Sequence, residues 1–175
     1  MKPRFISFVA GFFVIAACSQ PMDTSIAATG ETPLPTPIPL PQATLPDGFI
    51  VNLELAATPE ETTTGLMFRP ALAPDRGMLL LWEEDRLVTI WMMNVLIPLD
   101  IVYLDEAGRV VELVADAQPC NAEPCPRFTT PRPARAVLEL PAGSAATHGL
   151  AVGSQIDFER VAGFPVPTEE TEPAN

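Results

Sequence analysis

Leu99-Asp100-Ile101-Val102-Tyr103-Leu104, Asp105-Glu106-Ala107-Gly108 and Arg109-Val110-Val111-Glu112-Leu113-Val114 form the stretch that decides the fold class. Two apolar runs rich in β-branched residues flank a four-residue segment of turn formers, the pattern of a β-hairpin. Strand signals continue outward on both sides. Phe49, Val51, Leu53 and Leu55 alternate with Ile50, Asn52, Glu54 and Ala56, which predicts a strand with one dry face. Gly77–Trp82 and Leu87–Met93 are short apolar runs separated by a charged turn, Glu83-Glu84-Asp85-Arg86. Ala134–Leu140 reads as a strand closed by Pro141-Ala142-Gly143, and Gln155–Val161 alternates again. Helix is signalled at Thr58-Pro59-Glu60-Glu61, a capping box with proline at the first helical position and Gly65 at the exit. Ser144–His148 fits one further helical turn ending at Gly149. The expected class is mainly β: a compact single-domain barrel or sandwich of six to seven short strands with one or two short helices.

The ends of the chain carry other information. Lys2 and Arg4 precede thirteen uncharged residues, Phe5–Ala17, a basic n-region and apolar h-region too short for a permanent span. Ile15-Ala16-Ala17-Cys18 resembles the lipobox of bacterial lipoproteins, which implies cleavage before Cys18 and lipid on its thiol. Ordinary cleavage near Ala27 or Ala28, with Cys18 incidental, is the alternative. The division expected is signal peptide 1–17, lipidated cysteine and proline-rich linker 18–47, β domain 48–163 and disordered acidic tail 164–175. In the linker Pro33, Pro35, Pro37, Pro39 and Pro41 alternate, a polyproline II spacer. Lipid on Cys18 makes the membrane a partner and the location the cell envelope, facing the periplasm. By resemblance to enteric lipoproteins, Ser19 favours the outer membrane over the inner.

Removing the signal removes two of the ten basic residues and none of the 22 acidic ones, so the mature charge is 8 − 22 = −14. Such a chain is repelled by phosphate backbones, which excludes nucleic acid as a natural partner. With Cys18 assigned to lipid, Cys120 and Cys125 remain. An exported pair five positions apart in a proline-rich turn is expected as a disulfide. Free thiols or a metal site are the alternatives, and His148 is the only histidine to assist one.

Three stretches carry more detail than a plain β domain requires. They are Gly65-Leu66-Met67-Phe68-Arg69 with Gly77-Met78-Leu79, Trp91-Met92-Met93-Asn94 with Ile97-Pro98-Leu99-Asp100, and the cysteine turn running on into Ala134–Gly143 and Gly149–Gly153. Together they resemble domain-of-unknown-function family 192 over about 51–158, departing from its usual pattern at Met93 and Val95. The resemblance implies a compact, mainly β, often exported domain and no activity.

From the residues themselves, Arg69, Trp91, Asn94 and Asp100 make a candidate ligand pocket: an aromatic platform, an amide and a charge pair suited to a small polar or sugar-like molecule. A structural alternative has Arg69 pair with Asp100 to fix a loop. A hydrolase reading uses Asp100 with Arg69, or Asp100 facing Asp116 or Glu112. A copper reading uses the thioethers of Met67, Met78, Met92 and Met93. No catalytic residue, cofactor or metal ligand is assigned. The reading favoured is a lipid-anchored envelope protein whose domain binds a small ligand or another envelope protein. Cys18→Ser expressed in a lipoprotein-processing host is expected to lose palmitate labelling and to shift from the detergent phase to the aqueous phase on Triton X-114 partition; retention in the detergent phase would refute the anchor.

Overall fold

The computed structural model describes residues 39–165; the stretch read as a signal peptide, Cys18, most of the stretch read as a proline spacer and residues from 166 on lie outside them. In chain order the elements are β1 (Gln42–Thr44), β2 (Ile50–Ala56), α1 (Pro59–Thr64), β3 (Arg76–Arg86), β4 (Thr89–Trp91) and β5 (Leu99–Leu104). They continue with β6 (Val110–Ala117), β7 (Arg127–Thr129), β8 (Ala134–Pro141), α2 (Ser144–Thr147) and β9 (Asp157–Glu159). The domain is thus mainly β, as expected, with nine strands among the described residues.

The hairpin that decided the class forms between β5 and β6, with Leu104 opposite Val110. Asp105 closes its turn by accepting the N–H groups of Ala107 and Arg109 at 3.0 and 2.8 Å. Seven strands build one sheet in the order β6-β5-β8-β3-β2-β1-β9. Every pairing is antiparallel except β2 with β3. A parallel pair needs a crossover, and the segment holding α1 supplies it. The sheet curls until its two edges touch. Val110 donates to Ser154 at 2.9 Å and Ile156 donates to Gly108 at 3.1 Å, just before the chain enters β9 on the opposite edge. Gly108 permits this approach, since a Cβ there would lie 3.0 Å from the Ile156 carbonyl oxygen. The result is a half-barrel.

Both faces of that sheet are covered. On the concave side Val51, Leu53, Leu79, Val102, Leu138, Leu140 and Ile156 form one buried core. On the convex side Leu80, Ile101, Tyr103 and Val137 pack under Leu66, from the loop after α1, and under Ile90, Met92 and Val95. Two-sided burial explains why β5 reads as a continuous apolar run without alternation; all six of its residues are buried.

Several sequence expectations are corrected. Glu83-Glu84-Asp85-Arg86 is no turn: β3 runs through to Arg86, and Trp82–Asp85 form a bulge in which four residues oppose Arg135 alone. The run Leu87–Met93 contributes only β4, which leaves the main sheet and pairs with β7. In β2 the dry face stops at Leu53; Leu55 is 37% exposed and Ala56 turns inward. β1 lies in the stretch read as linker, and Phe164, read as the start of the tail, is buried edge-on against Phe158. Strands of three residues are too short to show a period.

Asp100 is fully buried on the concave side of β5. It sits at a register shift, where Leu99 faces Ala117 but Ile101 faces Val114. A bulge frees a backbone N–H from the ladder, and Asp100 takes it: Oδ1 accepts from Asp116 at 2.9 Å. Its other oxygen accepts from Ala145, at the start of α2, at 2.7 Å. One carboxylate therefore ties β5, β6 and α2 together. Asp100→Ala leaves the buried N–H of Ala145 and the partly buried N–H of Asp116 unpaired and is expected to lower unfolding free energy in urea by on the order of 3 kcal/mol. Asp100→Asn is expected to recover only part of that, because its amide NH2 must meet one of the two N–H donors.

Candidate ligand-binding cleft

The covers on the convex face do not meet. Between α1 with its exit loop on one side, and the β3 bulge with β4 on the other, lies an open cleft of about 950 Å³. Its position follows from local sequence. Thr58 caps α1 by accepting from the Glu61 N–H at 3.2 Å, while the Glu61 carboxylate accepts from Ala57 and Thr58 at 3.0 Å each. Gly65 ends the helix at φ 46, ψ −130. No residue of α1 is buried, so the helix stands at the rim and its exit loop delivers Leu66 to the core. Across the gap, the bulge turns Trp82, Glu83, Glu84 and Asp85 toward the opening, a use to which bulges beside sites are often put. Trp91 closes the far end, with the Arg127 guanidinium 4.8 Å from its ring centroid.

Glu139 lies at the floor. In β8, Leu138 and Leu140 point to the concave core, which sends Glu139 to the convex side between its cross-strand neighbours Met78 and Ile101. It is 5% exposed, and its Oε2 is buried with no hydrogen-bond partner among the described residues. Gly65 faces it without a side chain; a Cβ there would lie 3.5 Å from Oε2. Burial alone pushes its carboxyl up to about 7. On the same face the Tyr103 hydroxyl donates to the Phe128 carbonyl at 2.6 Å, and burial holds its pKa well above the usual phenol value.

The wall carrying Trp91 is braced from behind. Cys120 and Cys125 form a disulfide with Cα atoms 5.9 Å apart. The Cys120 N–H donates to Met92 at 3.2 Å, and its carbonyl accepts from the Asn94 N–H at 2.8 Å. Asn94, at φ 59, in turn accepts the Phe68 N–H at 2.8 Å. Asparagine tolerates this left-handed conformation better than most residues, so Asn94 serves here through its backbone as a junction.

The family can now be stated. The sequence profile of domain-of-unknown-function family 192, described as "Uncharacterized ACR", matches residues 43–158. The chain belongs to this family. No curated protein matches it. Among solved structures it is similar to a protein of unknown function from Novosphingobium aromaticivorans, 34% identical, with 67% of this chain and 82% of that one covered at a TM-score of 0.61. It is also similar to a protein from Sinorhizobium meliloti provisionally named a transcription regulator, 31% identical, covering 71% and 93% at a TM-score of 0.63.

In this family member the four residues singled out from sequence do not gather. Trp91 lines the cleft, whereas Arg69, Asn94 and Asp100 do not. Arg69 pairs with Glu54 rather than Asp100, through two contacts of 2.8 and 2.6 Å, and holds that carboxyl below its ordinary range. Asp100 is sealed on the other face with both oxygens engaged, which removes it as a hydrolytic group. Met78 and Met92 are buried in the convex core with Met67 packed against it, and Met93 lies 3.9 Å, sulfur to sulfur, from Cys125. Those thioethers act as packing. His148 is stacked on Phe49 and bonded to Asp47 at 2.8 Å, away from the cleft.

Glu139 and Trp82 were the residues missed. The local mark of Glu139 is an acid between Leu138 and Leu140, which alternation alone assigns to a solvent face. Its raised pKa links stability to pH. Between about 4.5, the ordinary value, and about 7, the folded chain keeps a proton that the unfolded chain has lost. Stability from this group is therefore present at low pH and lost as pH rises through that window, by roughly 3 kcal/mol. Glu139→Gln is expected to match the parent near pH 4.5 and to be the more stable protein at pH 8, as measured by paired denaturant titrations; a parallel pH dependence of the two would show that the carboxyl is not buried uncompensated.

Proposed function

We propose that this chain is a lipid-anchored cell-envelope protein whose domain binds a small molecule in the cleft between α1 and the β3 bulge. The observation that carries the reading is the cleft itself: two tryptophans, Trp82 and Trp91, and the side chains of Leu66, Leu80, Ile90 and Val95 around a single carboxyl without a protein partner. Concave sites with apolar walls and a few convergent polar groups are the usual form of small-ligand pockets.

Binding is favoured over catalysis by how the nearby hydroxyls are used. Thr62, Thr63 and Thr64 donate to the carbonyls of Thr58, Pro59 and Glu60 at 3.0, 2.6 and 2.9 Å, so none is set beside a base. The envelope location rests on the signal sequence, Cys18 and the proline spacer, with the Cys120–Cys125 disulfide as support, since such bonds persist in oxidising compartments. Lipid on Cys18 makes the membrane the partner, Ser19 favours the outer one, and the domain faces the periplasm. The name of the Sinorhizobium relative does not transfer easily, because a net charge of −12 opposes DNA binding.

The test is a fragment screen followed by 15N-observed NMR on the mature chain carrying Cys18→Ser. Bound fragments are expected to shift the indole N–H signals of Trp82 and Trp91 together. Trp82→Ala should weaken them by about tenfold without unfolding the domain. Hits confined to other surfaces, or affinities indifferent to Trp82, would sink the reading.

A further inference from the structure

We infer that the cleft selects a primary amine with an apolar body, its ammonium group seated on the Glu139 carboxylate and its body against Trp82. This rests on the proposed role of the cleft as a small-molecule site. Four observations carry it.

Glu139 is 95% buried on the cleft floor, since 5% of its surface is exposed, and no described group donates to its Oε2. Buried polar groups in native proteins are nearly always paired, so an orphan asks for a partner from outside the fold. No arginine around the cleft is bonded to that carboxylate among the described residues. The chain's one lysine is Lys2, in the stretch read as a signal peptide. Arg69 is held by Glu54, Arg135 by Asp85 and Glu106, and Arg127 lies over Trp91 and within 3.7 Å of Glu123. Arg86 stands exposed on the rim and makes no ion pair among the described residues.

The rim sets the sign. Glu83, Glu84 and Asp85 line the opening against that single Arg86, a field that draws cations inward and repels carboxylates and phosphates. The walls set the body. Leu66, Leu80, Ile90 and Val95 line the interior with Trp82 and Trp91, and the hydroxyls of Thr62, Thr63 and Thr64 are already spent on helix carbonyls. One charged head on an apolar frame fits that lining. On the α1 side Gly65 lies beside the carboxylate without a side chain of its own, a Cβ there falling 3.5 and 3.9 Å from the two Glu139 oxygens. A primary amine is favoured over a quaternary one because the orphan oxygen needs an N–H donor, and a charge-assisted hydrogen bond is the strong kind.

The experiment compares three probes of one shape, phenethylamine, 2-phenylethanol and phenylacetate, by calorimetry on the mature chain with Cys18→Ser. Phenethylamine is expected to bind about tenfold or more tightly than 2-phenylethanol, with phenylacetate weakest. In Glu139→Gln the preference for the amine over 2-phenylethanol should vanish. Equal affinities for amine and alcohol in the parent, a comparison that needs no variant, would overturn the inference. So would an amine preference that survives Glu139→Gln. In both cases continued binding of 2-phenylethanol at Trp82 and Trp91, followed by NMR, leaves the cleft's general role standing. Failure of all three probes to bind overturns the amine assignment and counts against the cleft reading as well.

Discussion

The centre of this sheet is buried on both faces, and the rest of the molecule follows from that constraint. β5 has no exposed residue, and β8 is buried from Ala136 through Leu140. The concave side can be filled by curling, because the sheet's own edges bring in Ala43, Ile156 and Phe164. The convex side cannot cover itself. It borrows Leu66 from the α1 crossover and the β4–β7 ribbon from two connections, β4 between β3 and β5 and β7 between β6 and β8. These two covers arrive from different parts of the chain, and the cleft is the seam they leave.

Holding a two-stranded ribbon over a sheet is a demanding task, since isolated ribbons are marginal in water. Here it is fastened at several points. Tyr103 reaches up from β5 to the Phe128 carbonyl, Thr89 and Thr129 share a hydroxyl contact of 2.8 Å across the ribbon, and Arg127 packs on Trp91. The disulfide closes a loop too short for a large entropic gain on unfolding. Its more evident effect is geometric, since Cys120 exchanges hydrogen bonds with Met92 and Asn94. The wall that presents Trp91 is therefore held by backbone contacts, consistent with a preformed cleft.

Hairpin and helix-cap signals in the sequence proved reliable, and features that depend on pairing with distant segments did not. The β5–β6 hairpin and the capping box of α1 are written within a few residues, because turn residues and the capping pair act on their immediate neighbours. Strands β1, β7 and β9 each span three residues and exist because a neighbouring strand offers free backbone groups, a fact no short window contains. A run of charges reads as a turn, yet Glu83–Asp85 form a bulge in a continuing strand. Arg69 reads as a partner for Asp100, yet the folded chain brings it to Glu54 on β2. Of the candidate site, Trp91 was legible because an aromatic beside a turn is conspicuous. Glu139 was hidden, because alternation in β8 sends its acid to the presumed wet face, and nothing local reveals that the face is covered.

A carboxyl placed mid-sheet beneath a seam also couples occupancy to stability. With its oxygen unpaired, Glu139 weakens the empty domain, and above pH 7, where it must ionise, it does so most. A cation bound at that oxygen interacts with the folded state alone, so it stabilises by mass action in proportion to its free concentration. The covers on either side gain as well, since Gly65 on one cover faces Glu139 and the Trp82 bulge springs from the strand beside it. The seam is thus the one place in the convex layer where a buried polar atom is left without a partner among the described residues.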